Sequence, residues 1–131
     1  IIGCLNHWVN GWVDWNMVLD RQGGPNWFKN WCIAPVIVDP EQDEVYFTPL
    51  YDVMCHFSKF IRPGATVLAS DCEDAEVMAV AAENADGTCV VVCFNPSETA
   101  RTVRIDGLSE DVRIVLEAQS LQTVVLTPYE I

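Results

Sequence analysis

Apolar residues open the chain at helical spacing: Ile1, Ile2, Leu5, Trp8 and Val9 fall at i, i+1, i+4, i+7 and i+8. The pattern predicts the end of a helix over 1–10, stopped by Asn10-Gly11, since glycine favours the position just past a helix. From Gly11 to Leu19 the period falls to two. That predicts a buried strand with Trp12, Asp14 and Asn16 on one side and Val13, Trp15 and Met17 on the other. A polar loop follows, Asp20-Arg21-Gln22-Gly23-Gly24-Pro25-Asn26, whose paired glycines admit a left-handed backbone and close approach. Residues 27–33 are expected to make a short helical turn presenting Asn30. The apolar runs 34–39 and 45–47, around the polar turn Pro40–Glu44, predict a small hairpin.

Thr48-Pro49 is a helix start, a capping hydroxyl followed by proline at the first helical position. Leu50, Val53, Met54, Phe57, Phe60 and Ile61 then form an amphipathic stripe, which predicts a helix over 48–62. Lys59 and Arg62 suit its last turns, and Pro63-Gly64 ends it. Beyond Gly64 the texture becomes short apolar runs between turn residues. Strands are predicted at 66–71, 76–83, 88–95, 101–106, 111–117 and 121–127, with Asn84-Ala85-Asp86-Gly87 the strongest hairpin signal. Val103/Ile105 and Val112/Ile114/Leu116 alternate with polar neighbours, as half-buried antiparallel strands do. Six such strands read as a β-sandwich, with a boundary near residue 65 and hence two regions, 1–65 and 66–131.

Composition narrows this picture. Half of the 131 residues are hydrophobic, enough for a core. Seven basic residues against nineteen acidic ones give a net charge of −12, which argues against nucleic acid or an anionic membrane surface as partners. No apolar run reaches the roughly 18–20 residues of a membrane span. The opening residues have neither an initiator methionine nor the pattern of a signal peptide, so Ile1 reads as an interior point of a longer protein. The six cysteines show no zinc spacing; they read as buried free thiols, with one or two disulfides as the alternative. Asn95-Pro96-Ser97 is disqualified as a glycosylation site by its proline.

The chemistry concentrates between Trp8 and Trp31, where all five tryptophans lie. Flat aromatic rings beside Asp14 and Asn16 suit a sugar, whose pyranose face stacks while its hydroxyls bond to amides and carboxylates. The structural alternatives are a tryptophan core for Trp15, a loop asparagine bonding its own backbone for Asn30, and a scaffold aspartate tying neighbouring loops for Asp14. Trp27 and Trp31 either line an entrance or shield the loop. His7 and His56 read as structural, because no further ligand stands at metal spacing.

Gly11-Trp12-Val13-Asp14-Trp15-Asn16, Gly23-Gly24-Pro25-Asn26-Trp27, Ala34-Pro35-Val36-Ile37-Val38-Asp39 and His56-Phe57-Ser58-Lys59-Phe60-Ile61 resemble, in order and spacing, glycoside hydrolase family 30. The pattern is most similar to its glucosylceramidase (acid β-glucosidase) branch and extends over essentially the whole chain. The resemblance implies an α/β plus all-β fold: the C-terminal remnant of a TIM (β/α)8 barrel, its last strand and helix, followed by an antiparallel β-sandwich. Residues 1–10 would be the end of the seventh barrel helix, 11–19 the eighth strand and 48–62 the eighth helix. The loop from Asp20 would then lie on the catalytic face.

It further implies a retaining glycosidase with two glutamates about 5–5.5 Å apart, on the fourth and seventh strands. The glutamates here, at 41, 44, 73, 76, 83, 98, 110, 117 and 130, lie in turns or sandwich strands, so neither of the pair is expected in this segment. By residue-wise resemblance Trp15 and Asn30 contact substrate, with Asp14 and Asn16 beside them. A β-glucoside, glucosylceramide in particular, is the implied substrate, with no cofactor and a lysosomal or secreted setting. The missing N-terminal part of the protein is the implied partner. The acidic sandwich surface reads as a solvated face, or as the docking site of an activator protein. The rival functions are hydrolysis of another β-glycoside such as a β-1,6-glucan, and a non-catalytic sandwich module binding carbohydrate or protein.

Overall fold

The computed structural model describes residues 1–107 and 112–127. The described chain forms two compact units, one made of Gly11–Cys55 and the other of Ile1–Asn10 together with His56–Ile131.

The larger unit is built around β6 (Cys89–Asn95), an almost unbroken apolar run buried on both faces. It lies between β5 (Met78–Glu83) and β9 (Ser120–Leu126), and β4 (Thr66–Leu68) completes the antiparallel order β4-β5-β6-β9. One face of β6 sends Val90 and Val92 into a cluster with Val80, Phe57 and Ile2 of α1 (Ile2–Asn6), edged by Phe60 and Ile61. The other sends Cys89, Val91 and Cys93 against Val77 and Leu116. Leu116 belongs to β8 (Val112–Leu116), which pairs with β7 (Arg101–Ile105) in a second, two-stranded sheet. Each fully buried valine or leucine here contributes about 1.5–3 kcal/mol. The expected antiparallel sandwich is therefore present. Residue 111 of the strand expected at 111–117 lies outside the described residues.

Polar knots close the unit. Asn95 is fully buried, and its Nδ2 donates to the carbonyls of Thr99, Leu116 and Glu117 at 2.9, 3.2 and 2.9 Å. Its Oδ1 accepts from Ser97 N–H and Oγ. The predicted hairpin at 84–87 joins β5 to β6, with Gly87 at φ +81°. Asp86 accepts from the N–H and hydroxyl of Thr88, which hold its carboxyl below the usual range. All six cysteines are free, and burial pushes the Cys93 thiol up to about 11.

Several sequence expectations are corrected. The first helix spans five residues rather than ten; Trp8 takes φ +70° and ends any continuation. Asn6 Nδ2 donates to Ala79 O at 2.8 Å, on a stretch of β5 that β4 leaves unpaired. The strand expected over 11–19 reduces to β1 (Val18–Asp20), and its tryptophans are not buried. Residues 11–16 have no ladder partner among the described residues, Met17 joins only through its carbonyl, which accepts from Val36 N–H at 3.1 Å, and Asn16 at φ +52° breaks the extended backbone that alternation assumes.

No helical turn forms at 27–33, where Lys29 takes φ +56°. The helix expected over 48–62 is α2 (Pro49–Ser58). Ile61 N–H still reaches Phe57 O, but Asn84 takes the next groups, accepting from Arg62 N–H and donating to Phe60 O, both at 2.9 Å. Pro63 also disfavours helical geometry at Arg62. Leu50 and Val53 of the apolar stripe remain partly exposed, while Phe57 is buried. Thr48 stands before α2, but its hydroxyl donates to Ala34 O and Pro35 O at 3.0 and 3.2 Å instead of capping. The strand expected at 66–71 stops at Leu68, and the one at 76–83 begins at Met78. Between them Asp74 turns the chain, accepting from Glu76 N–H through its carboxylate and from Val77 N–H through its carbonyl.

Candidate functional site

The unit of residues 11–55 carries a three-stranded sheet in the order β1-β2-β3. β2 (Val36–Asp39) and β3 (Glu44–Phe47) form the predicted hairpin around the polar turn 40–43. β1 runs parallel to β2, with Val18 opposite Val36 and Asp20 opposite Val38. The C-terminal ends of both strands therefore lie at one edge of the sheet, and each ends in an aspartate.

Asp39 is only 3% exposed. Burial raises its carboxyl pKa, but Arg21 Nη1 at 2.8 Å and the N–H groups of Glu41 and Gln42 outweigh that and hold it below the usual range. The same bond raises the Arg21 guanidinium. Asp20 ties the following loop: its Oδ1 accepts from Gln22 N–H at 2.8 Å and Gly24 N–H at 2.9 Å, while its own N–H donates to Gly24 O at 2.7 Å.

Gly23 is required by the backbone against it, and Gly24 is tightly packed. Gly23 sits at φ +83°, and a Cβ there would stand 2.3 Å from Cys32 O; a Cβ on Gly24 would meet the Trp31 ring at 3.3 Å. Gly24-Pro25 is a cis peptide. Cys32 N–H donates to Gly23 O at 3.2 Å and closes the loop's far end onto its start. The loop borders an open depression of about 520 Å³, lined by Asp20, Arg21, Gln22, Gly23, Cys32, Ile33, Ile37 and Tyr46. Glu44 accepts from Tyr46 Oη, which raises the phenol's pKa.

The four sequence candidates lie outside that lining. Trp15 is 76% exposed, and its indole N–H has no hydrogen bond among the described residues. Its backbone N–H donates to Asp14 Oδ1 at 2.8 Å, the one recorded contact among the four. Among the described residues Asp14 thus bonds to its neighbour and to no second loop. Asn16 is half-buried, and its amide makes no hydrogen bond among the described residues. Asn30 is exposed, and among the described residues its side chain makes no hydrogen bond, its own backbone included. Its N–H donates to Asn26 Oδ1 at 3.1 Å, and its carbonyl accepts from Cys32 Sγ at 3.3 Å. The rings of Trp12 and Trp31 are partly exposed and that of Trp27 almost wholly so.

The segment thus presents flat aromatic faces and unengaged side-chain amides on a loop anchored by its backbone, an arrangement suited to a neutral polyhydroxylated ligand. Sequence reasoning missed Arg21, Asp39 and Asn26. Asn26 sits inside the Gly-Gly-Pro-Asn-Trp block, and its offset of four from Asn30 is the signal that could have found it.

Comparison with known proteins identifies the family. The profile described as "Glycosyl hydrolase family 30 TIM-barrel domain" matches residues 1–61, and that described as "Glycosyl hydrolase family 30 beta sandwich domain" matches residues 64–124. The chain is 42% identical over 100 residues to lysosomal acid glucosylceramidase of Mus musculus, covering 74% of this chain and 19% of that one. It is 32% identical over 100 residues to an endo-1,6-beta-D-glucanase of Trichoderma harzianum, covering 72% and 20%. A solved endo-beta1,6-glucanase superposes with a TM-score of 0.88 at 24% identity, over 97% of this chain and 29% of that one. The chain spans about a fifth of the length of these curated relatives.

Proposed function

The chain belongs to glycoside hydrolase family 30, joining the C-terminal part of its TIM barrel to its β-sandwich, and on that premise we propose that it is the C-terminal segment of a retaining β-glucosidase that cleaves glucosylceramide to glucose and ceramide. The observation that carries this reading is the 42% identity to a relative named as a lysosomal acid glucosylceramidase, against 32% to the glucanase over the same length. A lysosomal setting and a place in sphingolipid metabolism follow on the same reading. Residues 1–65 would close the barrel and 66–131 form the sandwich.

In this mechanism the segment does no covalent chemistry. A carboxylate pair upstream of Ile1 supplies nucleophile and acid/base. Trp15 offers an open ring face to the apolar side of the glucose, and Asn30 offers an amide whose donors and acceptor are free for its hydroxyls. Asp14 holds the backbone of Trp15, and Asn16 lies next to it in the chain. Such groups contribute by orienting the bound sugar, which lowers the entropic part of the barrier.

The test is an assay of the full-length protein against glucosylceramide and a β-1,6-glucan, with Trp15→Ala and Asn30→Ala alongside. Turnover of the glycolipid, with KM raised about tenfold in each variant, is the expected result, one lost contact being worth roughly a factor of ten. Preference for the glucan would transfer the assignment to the other branch. Turnover of neither would point to a binding module.

A further inference from the structure

We infer that Asn26 is a positioning residue for the sugar subsite, acting through the backbone of Asn30; this rests on the functional reading above. Asn30 has no regular secondary structure to hold it, and Lys29 before it takes φ +56°, a conformation side chains other than glycine adopt at a cost. Two contacts fix its peptide groups. Cys32 Sγ donates to Asn30 O at 3.3 Å, and Cys32 is itself bound to Gly23 O. Asn26 Oδ1 accepts from Asn30 N–H at 3.1 Å.

Of these, the bond from Asn26 is the stronger, because an amide oxygen is a better acceptor than a thiol is a donor. The Asn26 Nδ2 is buried and makes no hydrogen bond among the described residues, so only the oxygen of this side chain is engaged. An unpartnered buried donor is a cost, tolerated here beside the one bond that sets Asn30. With its backbone clamped, Asn30 presents a side-chain amide that bonds nothing else among the described residues and is free for the substrate.

The experiment uses the full-length protein with a fluorogenic β-glucoside and four variants: Asn30→Ala, Asn26→Ala, Asn26→Asp and Asn26→Ser. Asn30→Ala and Asn26→Ala should each raise KM about tenfold while changing kcat less, the effect of one lost hydrogen bond in ground-state binding. Asn26→Asp and Asn26→Ser keep an acceptor for Asn30 N–H, as equivalent capping residues do, and should hold KM within about threefold of the wild type. A merely structural Asn26 would lower the melting temperature without separating KM from kcat. Three results overturn the proposal: an unchanged KM in Asn26→Ala, an Asp variant as impaired as the Ala variant, or an Asp and Ser pair both raised tenfold where the Ala variant does not fold. An unchanged KM in Asn30→Ala would instead remove the subsite reading, and this proposal with it.

Discussion

Single residues decide where this chain can be altered cheaply. Asn95 bonds to five groups from a fully buried position, so Asn95→Ala leaves three carbonyls and two Ser97 donors without it. The expected loss is about 3 kcal/mol or more, read as a lower urea midpoint at unchanged slope. Asp39 makes a prediction in pH. Its folded-state carboxyl is depressed by Arg21 and two N–H groups, so its contribution is complete above the unfolded value of about 3.9 and is lost as pH falls through the lower folded value. Asp39→Asn should therefore be less stable than the wild type at neutral pH, with the gap closing below pH about 4 in thermal melts. A gap that stays constant over that range would contradict the ion pair's role. Trp15 and Asn30 are singled out as substrate contacts only through the family pattern. Composition and period placed the tryptophans in a core, because an alternating run looks buried whenever its ladder is assumed to exist. Asn26 was overlooked since an asparagine beside proline reads as turn chemistry first.

At the level of elements, apolar runs proved reliable where both neighbours exist. β6 and the 84–87 hairpin follow the sequence closely, because the apolar run of β6 is laddered to β5 on one side and β9 on the other. Boundaries failed where a bond competes with the apolar pattern. Asn84 draws off the end of α2 from more than twenty residues away, beyond any local window. Asp74 turns the chain before β5 begins through bonds to Glu76 and Val77, which are local but carry no apolar signature. The loop after β1 depends on its glycines in a way that can be tested. Gly23→Ala would place a methyl 2.3 Å from Cys32 O at a left-handed φ. About 1–2 kcal/mol of backbone strain is expected, with a further steric term. The loop should then open, seen as faster limited proteolysis between residues 23 and 32 and a higher KM in the full-length protein. An unchanged cleavage rate would mean that the backbone contact is not needed.

The molecule as a whole carries large exposed rings: Trp8 and Trp27 are each 96% exposed, and Phe28 nearly as much. Exposed apolar rings of this kind promote association. The edges of β1 and β3, unpaired among the described residues, offer a second route to it. The 131-residue chain expressed alone should therefore self-associate in sedimentation experiments and should not hydrolyse a fluorogenic β-glucoside. A monodisperse monomer with a sharp melt would refute the first expectation, and measurable turnover by the pure fragment the second. The sandwich was legible as a whole because its strands are apolar or alternating runs set off by turn residues, and the β2–β3 hairpin before it was legible for the same reason. The extent of β1 was not, because the residues before Val18 alternate without a ladder to pair with.

One consequence concerns the order in which the chain visits its units. Ile1–Asn10 and His56–Ile131 belong to one unit, so residues 11–55 form an excursion whose two stems return to the same body. Ile2 is buried with Phe57, Val80 and Val92, and Asn6 is bonded to Ala79. Within the excursion, β1 is laddered to β2. A backbone cut between Trp27 and Trp31 would thus leave two pieces gripping each other at two separate places. The nicked protein should run as one species in gel filtration and fall into fragments only in denaturant. In evolutionary terms, such a closed excursion can change length or sequence without unthreading the body that bears it.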